Sequence, residues 1–80
     1  MTTENELERN VRYVINVFEK QPTTVGYSLF DLTLKVRLIH NRENPLGLKD
    51  AREAITEAEK RRLIREVATR YFGERYILNN

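Results

Sequence analysis

Apolar and polar residues alternate without a break from Phe30 to Leu38. Phe30, Leu32, Leu34, Val36 and Leu38 are apolar, and Asp31, Thr33, Lys35 and Arg37 between them are polar. A period of two is the signature of a half-buried β-strand, and it predicts a strand over about 28–40. Wound at 100° per residue, the same apolar positions spread around the whole circumference and define no single helix face. The strand reading places all five apolar side chains, Leu34 included, on one buried face. That face is the natural seat for the helical stripes found elsewhere in the chain.

The segment before it has helical spacing. Leu7, Val11, Val14 and Phe18 recur at intervals of four, three and four, with Ile15 alongside, which predicts a helix over about 4–20. Thr3 and Glu6 have the spacing of a capping box at its start, Glu8 and Arg12 form an i,i+4 pair, and Pro22 stops it. In the connection that follows, Thr23, Val25 and Tyr27 could begin the strand early or make a short strand of their own, with Gly26 as a bend or bulge.

After the breaker-rich turn Asn41–Gly47 come two stripes. Leu48, Ala51, Ala54, Ile55 and Ala58 form a small-residue one; Leu63, Ile64, Val67, Ala68, Tyr71 and Phe72 form a bulkier one. On one straight helix they would face nearly opposite ways. Thr56 and Glu59 repeat the capping-box spacing, so the expectation is two helices, about 47–55 and 57–72, with Gly73 as the C-cap; the alternative is one continuous helix whose first part packs on a second subunit. Tyr76, Ile77 and Leu78 then predict a short strand over about 74–78, paired with the first. The expected fold is α+β: a single small domain, 1–80, in the order α-β-α-α-β, with the helices on one face of a small antiparallel sheet. Two strands alone are marginal. Either residues 23–27 add a third, or a second copy pairs at the sheet edge to make a homodimer.

Composition narrows the chemistry. The 80 residues include no cysteine and one histidine, His40. Disulfides and thiolate metal sites are excluded, and the nitrogen ligands of a structural zinc are lacking. No metal and no cofactor is expected. Asp31 and Asp50 are the two aspartates, and the glycines at 26, 47 and 73 are scattered turn residues rather than a phosphate loop. No catalytic set emerges, so an enzyme is not expected. No apolar run approaches the roughly 18 residues of a membrane helix, and the polar, acidic start Met1–Glu6 is no signal peptide. The expected location is the cytoplasm.

Fourteen basic residues against twelve acidic ones leave a net charge of +2, too mild by itself to require nucleic acid. The densest positive run is Lys60-Arg61-Arg62, with Arg65 one helical turn on. In the helical reading Arg62, Arg65 and Thr69 share a face opposite Leu63 and Val67. Glu57–Arg61 and Glu66–Arg70 have i,i+4 spacing. Tyr13, Tyr27, Tyr71 and Tyr76 read as core-edge residues.

Two pieces resemble the C-terminal domain of the bacterial ribosomal stalk protein L7/L12. Phe30-Asp31-Leu32-Thr33-Leu34-Lys35 is similar to that domain's opening strand. Leu46-Gly47-Leu48-Lys49-Asp50-Ala51-Arg52-Glu53 is similar to one of its helix starts. Together they cover fourteen residues. The family places a whole helix between the two pieces, where this chain has ten residues, and it lacks the leading helix. The resemblance implies binding of translation factors by the helix at 46–53 and the one before it, with Lys49 and Arg52 at the matching basic positions.

The functional expectation is a small non-enzymatic protein-interaction module, a regulator or inhibitor of a larger macromolecular machine. Its contact residues would be Lys49, Arg52, Arg61, Arg62 and Arg65, facing an acidic protein surface. The alternatives are nucleic-acid binding through the same basic surface and self-association as a structural module.

Overall fold

The computed structural model describes residues 4–79. They form an α+β domain of three helices followed by a two-stranded antiparallel hairpin. The leading helix, α1 (Glu4–Lys20), forms as its stripe dictates: Val11, Val14, Val17 and Phe18 are buried. Glu4 and Glu6 in its first turn and Lys20 in its last suit the helix dipole. Thr3, the first half of the expected capping box, lies outside the described residues.

The segment read as the central strand is a helix, α2 (Leu29–His40). Ser28 caps it, its Oγ accepting the Asp31 N–H at 3.1 Å. The alternation has a helical solution because residues two apart on a helix lie about 200° apart. The even positions therefore split into two i,i+4 series on opposite sides. Leu32 and Val36 point inward and are fully buried, whereas Phe30 and Leu34 point outward, 76% and 43% exposed, with half-buried Leu38 completing the outer series. The missing single apolar face was real, since α2 is apolar on both sides. Thr33, polar in the pattern, is buried because its Oγ1 donates to the Leu29 carbonyl at 2.6 Å.

α3 (Leu48–Lys60) runs unbroken through Thr56, so the break expected there does not occur. Its small stripe Ala51, Ala54, Ile55 and Ala58 is buried and lets neighbouring backbones approach closely. Termination comes five residues later by a Schellman arrangement. The Arg62 N–H donates to the Glu59 carbonyl and the Leu63 N–H to the Ala58 carbonyl, both at 2.9 Å, and Arg62 takes φ +62°. An arginine fills a position that usually calls for glycine, which is why the sequence does not mark this stop.

The helix expected over 57–72 is thus the end of α3, a tight exit and a strand. β1 (Ile64–Thr69) pairs with β2 (Gly73–Leu78) in the register Ile64↔Leu78, Glu66↔Tyr76 and Thr69↔Gly73. Gly73 is a turn residue at φ +74°, not a helix cap. Thr69 Oγ1 orders the turn, accepting the Phe72 N–H at 3.0 Å and donating to the Gly73 carbonyl at 2.7 Å. The segment 76–78 is a strand as expected, but its partner is β1 rather than 28–40.

Residues 23–27 contribute one bridging residue instead of a strand. Tyr27 and Tyr76 exchange backbone hydrogen bonds of 2.9 and 2.7 Å. Gly26, at φ +84°, permits this approach, since a Cβ there would lie 2.8 Å from both Arg75 Cβ and the Tyr76 carbonyl oxygen. The three helices pack on one face of the hairpin, where Ile64 and Tyr76 join the common core and Leu78 packs at its edge. No helix among the described residues is long and apolar enough to cross a membrane.

Candidate functional site

The five basic residues singled out in the sequence do not form one surface. Arg61 is a fastener of the fold. Its Nε meets Glu57 Oε2 at 2.7 Å and its Nη1 meets Glu8 Oε2 at 3.0 Å, tying the end of α3 to α1. The expected Glu57–Arg61 pair is present, and Glu8 makes its ion pair with Arg61 at the surface, while Arg12 of its own helix acts on it through charge alone. The Arg61 hydrogen bonds hold the Glu8 carboxyl below the usual range, and the two carboxylates raise the guanidinium above its own. Arg62 is committed to the left-handed exit from α3, and its carbonyl accepts Asn79 Nδ2 at 2.9 Å. Arg65 sits on the outward face of β1, so the helical face Arg62–Arg65–Thr69 does not exist. The Glu66–Arg70 helical pair is lost for the same reason.

Lys49 and Arg52 are exposed on α3, where Lys60 joins them around an open groove of about 630 Å³ between α3 and α1. Leu7 and Leu48 are its apolar lining, and Glu53 and Glu57 its acidic side. Arg61 already neutralises Glu57, so the free charge of the rim is positive. Arg37 Nε donates to the Leu46 carbonyl at 2.7 Å, pinning the start of α3 to α2.

The outer stripe of α2, Phe30–Leu34–Leu38, was hidden by the strand reading. The signal that reveals it is the i,i+4,i+8 spacing inside the alternation. Leu48 is exposed as well, but it lines the α3–α1 groove rather than the outer side of α2. A second groove, of about 430 Å³, lies between α1 and α2, with Val17, Leu38 and Ile39 beneath Lys20, Lys35 and Arg42. Lys35 is held there by Gln21 Oε1 at 2.8 Å.

His40 closes α2 rather than a strand. Its Nδ1 lies 3.3 Å from Tyr13 Oη, and the two rings meet edge to face. Among the described residues, no cluster of three or more His, Cys, Asp or Glu could hold a metal ion. Tyr71 is not a core-edge residue: it stands at the hairpin tip, 80% exposed, beside Phe72 at 54%. On the opposite side of the hairpin, burial together with Glu74 and Glu59 pushes the Glu66 carboxyl up. Burial, with Glu59 and Glu66, does the same to the Tyr76 hydroxyl. Among the described residues, β1 has no strand along its outer edge.

No protein-family model matches the chain, and no curated protein or solved structure does so either.

Proposed function

We propose that the protein is a small non-enzymatic interaction module. It takes an acidic, apolar-seamed segment of a protein partner on the surface of α2 and α3, and acts as a regulator or inhibitor of a larger assembly. The observation that carries this is the double apolar character of α2. An amphipathic helix on a free-standing domain turns one stripe to the core and a polar face to water, yet α2 turns Phe30 and Leu34 to solvent. Exposed apolar stripes of this kind mark contact surfaces. The acidic character of the partner follows from Lys49, Arg52 and Lys60 around Leu48, in the groove that α3 forms with α1, where charge complementarity sets specificity and encounter rate. Lys49 and Arg52 are also the positions implied by the stalk-protein resemblance.

The test is affinity capture from the native cell with three variants of the full chain. A partner held by the wild type and by Arg65→Glu should be lost with Leu34→Asp and with Lys49→Glu/Arg52→Glu. These positions are solvent-facing, so far-ultraviolet circular dichroism should stay unchanged. Capture that survives both losses of surface character defeats the reading. A second reading, self-association through the sheet edge, is supported by the open side of β1. A monomer mass in concentrated solution removes it.

A further inference from the structure

The hairpin sorts its charges by sign. Arg65, Val67 and Thr69 share a sheet face with their cross-strand partners Ile77, Arg75 and Gly73; Ile64, Glu66 and Ala68 share the other with Leu78, Tyr76 and Glu74. One face therefore carries Arg65 and Arg75 with no carboxylate from either strand, and the other carries Glu66 and Glu74. The turn carries Arg70, Tyr71 and Phe72.

The two tip rings have no place in the core, yet they are not bare. The Arg70 guanidinium lies 5.5 Å from the Tyr71 ring centre, and that of Arg75 lies 5.2 Å from the Phe72 ring centre. Each ring is backed by a cation within stacking range and still exposes much of its surface. Thr69 fixes the turn that presents them, so the rings stand on an ordered platform. From Arg65 to Thr69 the strand spans about 14 Å at 3.4 Å per residue, and Arg70 follows in the turn.

We propose that the β1–β2 hairpin binds single-stranded nucleic acid, with bases stacked on Tyr71 and Phe72 and phosphates met by Arg65, Arg70 and Arg75. Stacking platforms interleaved with cations are what a sequence-tolerant single-strand site requires. A duplex hides the base faces that these rings would engage, which favours the unpaired form. Glu66 and Glu74, with Glu59 near them, keep the phosphate chain off the opposite face. The surface is separate from α2 and α3, so this site stands or falls independently of the protein-binding reading.

Fluorescence anisotropy of labelled oligothymidine and oligouridine, titrated with the full chain, is the test. The two oligomers separate DNA from RNA preference. Three phosphate contacts give a slope of log K against log salt of about −2, so affinity should fall about 20-fold between 50 and 200 mM salt. Arg70→Ala/Arg75→Ala should flatten the slope to about −0.7. Tyr71→Ala/Phe72→Ala should weaken binding about tenfold or more, with circular dichroism unchanged because both rings are exposed. The proposal is overturned by no anisotropy change with about 100 μM protein at low salt. Equal affinity for a duplex, or full binding without the two rings, also overturns it. So does a hairpin whose rings are needed for capturing a protein but for no oligonucleotide.

Discussion

Replacing Leu32 and Leu34 separately by alanine measures which way α2 faces. On a strand the two side chains share one face and would cost alike. On α2 they lie on opposite sides, with Leu32 fully buried and Leu34 43% exposed. Leu32→Ala removes buried methylene-equivalent groups worth about 0.8 kcal/mol each and leaves a cavity; such changes cost about 2–5 kcal/mol in total. Leu34→Ala forfeits partial contact only, and alanine's better helix propensity offsets some of it, so about 0.5–1 kcal/mol is expected from the smaller buried area. A domain of this length has about 4–12 kcal/mol in all. Leu32→Ala should therefore consume a large part of the stability, while Leu34→Ala should shift the melting temperature by no more than about 4–8 °C. Urea titration followed at 222 nm yields both free energies, and Leu32→Met, expected under about 1.5 kcal/mol, keeps the buried site measurable if the alanine variant does not fold. Equal costs at 32 and 34 would refute the helical partition of this segment.

Gly26→Ala should destabilise by more than about 1 kcal/mol, because φ +84° disfavours any side chain and the new Cβ would strike Arg75 and the Tyr76 carbonyl; a melting curve that matches wild type would contradict this. Two carboxylates should act on stability with opposite sign as pH changes. Glu66 has a folded pKa above its unfolded one, so it costs stability as pH rises through that interval. Glu66→Gln should melt higher than wild type at neutral pH, with the advantage gone below the ordinary carboxylate range. Glu8 has a folded pKa below its unfolded one, so its contribution is present at neutral pH and lost on acidification through the folded value. Glu8→Gln should melt lower at neutral pH and like wild type in acid, and thermal scans across pH read both effects.

The sequence revealed α1, the start of α3 and the strand at 76–78, because each rests on local spacing or turn chemistry. It misplaced two segments for different physical reasons. In α2, an i,i+4 series pointing inward and another pointing outward add up to perfect alternation, and the second series lies mostly outside the core. Solvent exposure of Phe30 is a property of the surface, which no periodicity rule for core residues anticipates. At the end of α3 the stop is written in backbone hydrogen bonds around a left-handed Arg62, a conformation with no compositional marker. Beyond it, Val67 and Tyr71 mimic helical spacing although one belongs to a strand and the other to a turn. Of the basic residues, Lys49 and Arg52 were legible as exposed because the apolar stripe of α3 fixed its inward side. Arg61 was not, since its partner Glu8 lies 53 residues away.

The Tyr27–Tyr76 bridge divides the molecule mechanically. Tyr76 and Ile64 are anchored in the core, whereas Glu66, Ala68 and Tyr71 to Glu74 are exposed. The outer half of the hairpin therefore projects like a cantilever from a support at Tyr76. A ligand at Tyr71 and one at Leu34 thus share no bistable element through which either could bias the other. If both proposed sites are real, occupancy of the two ends should be energetically additive.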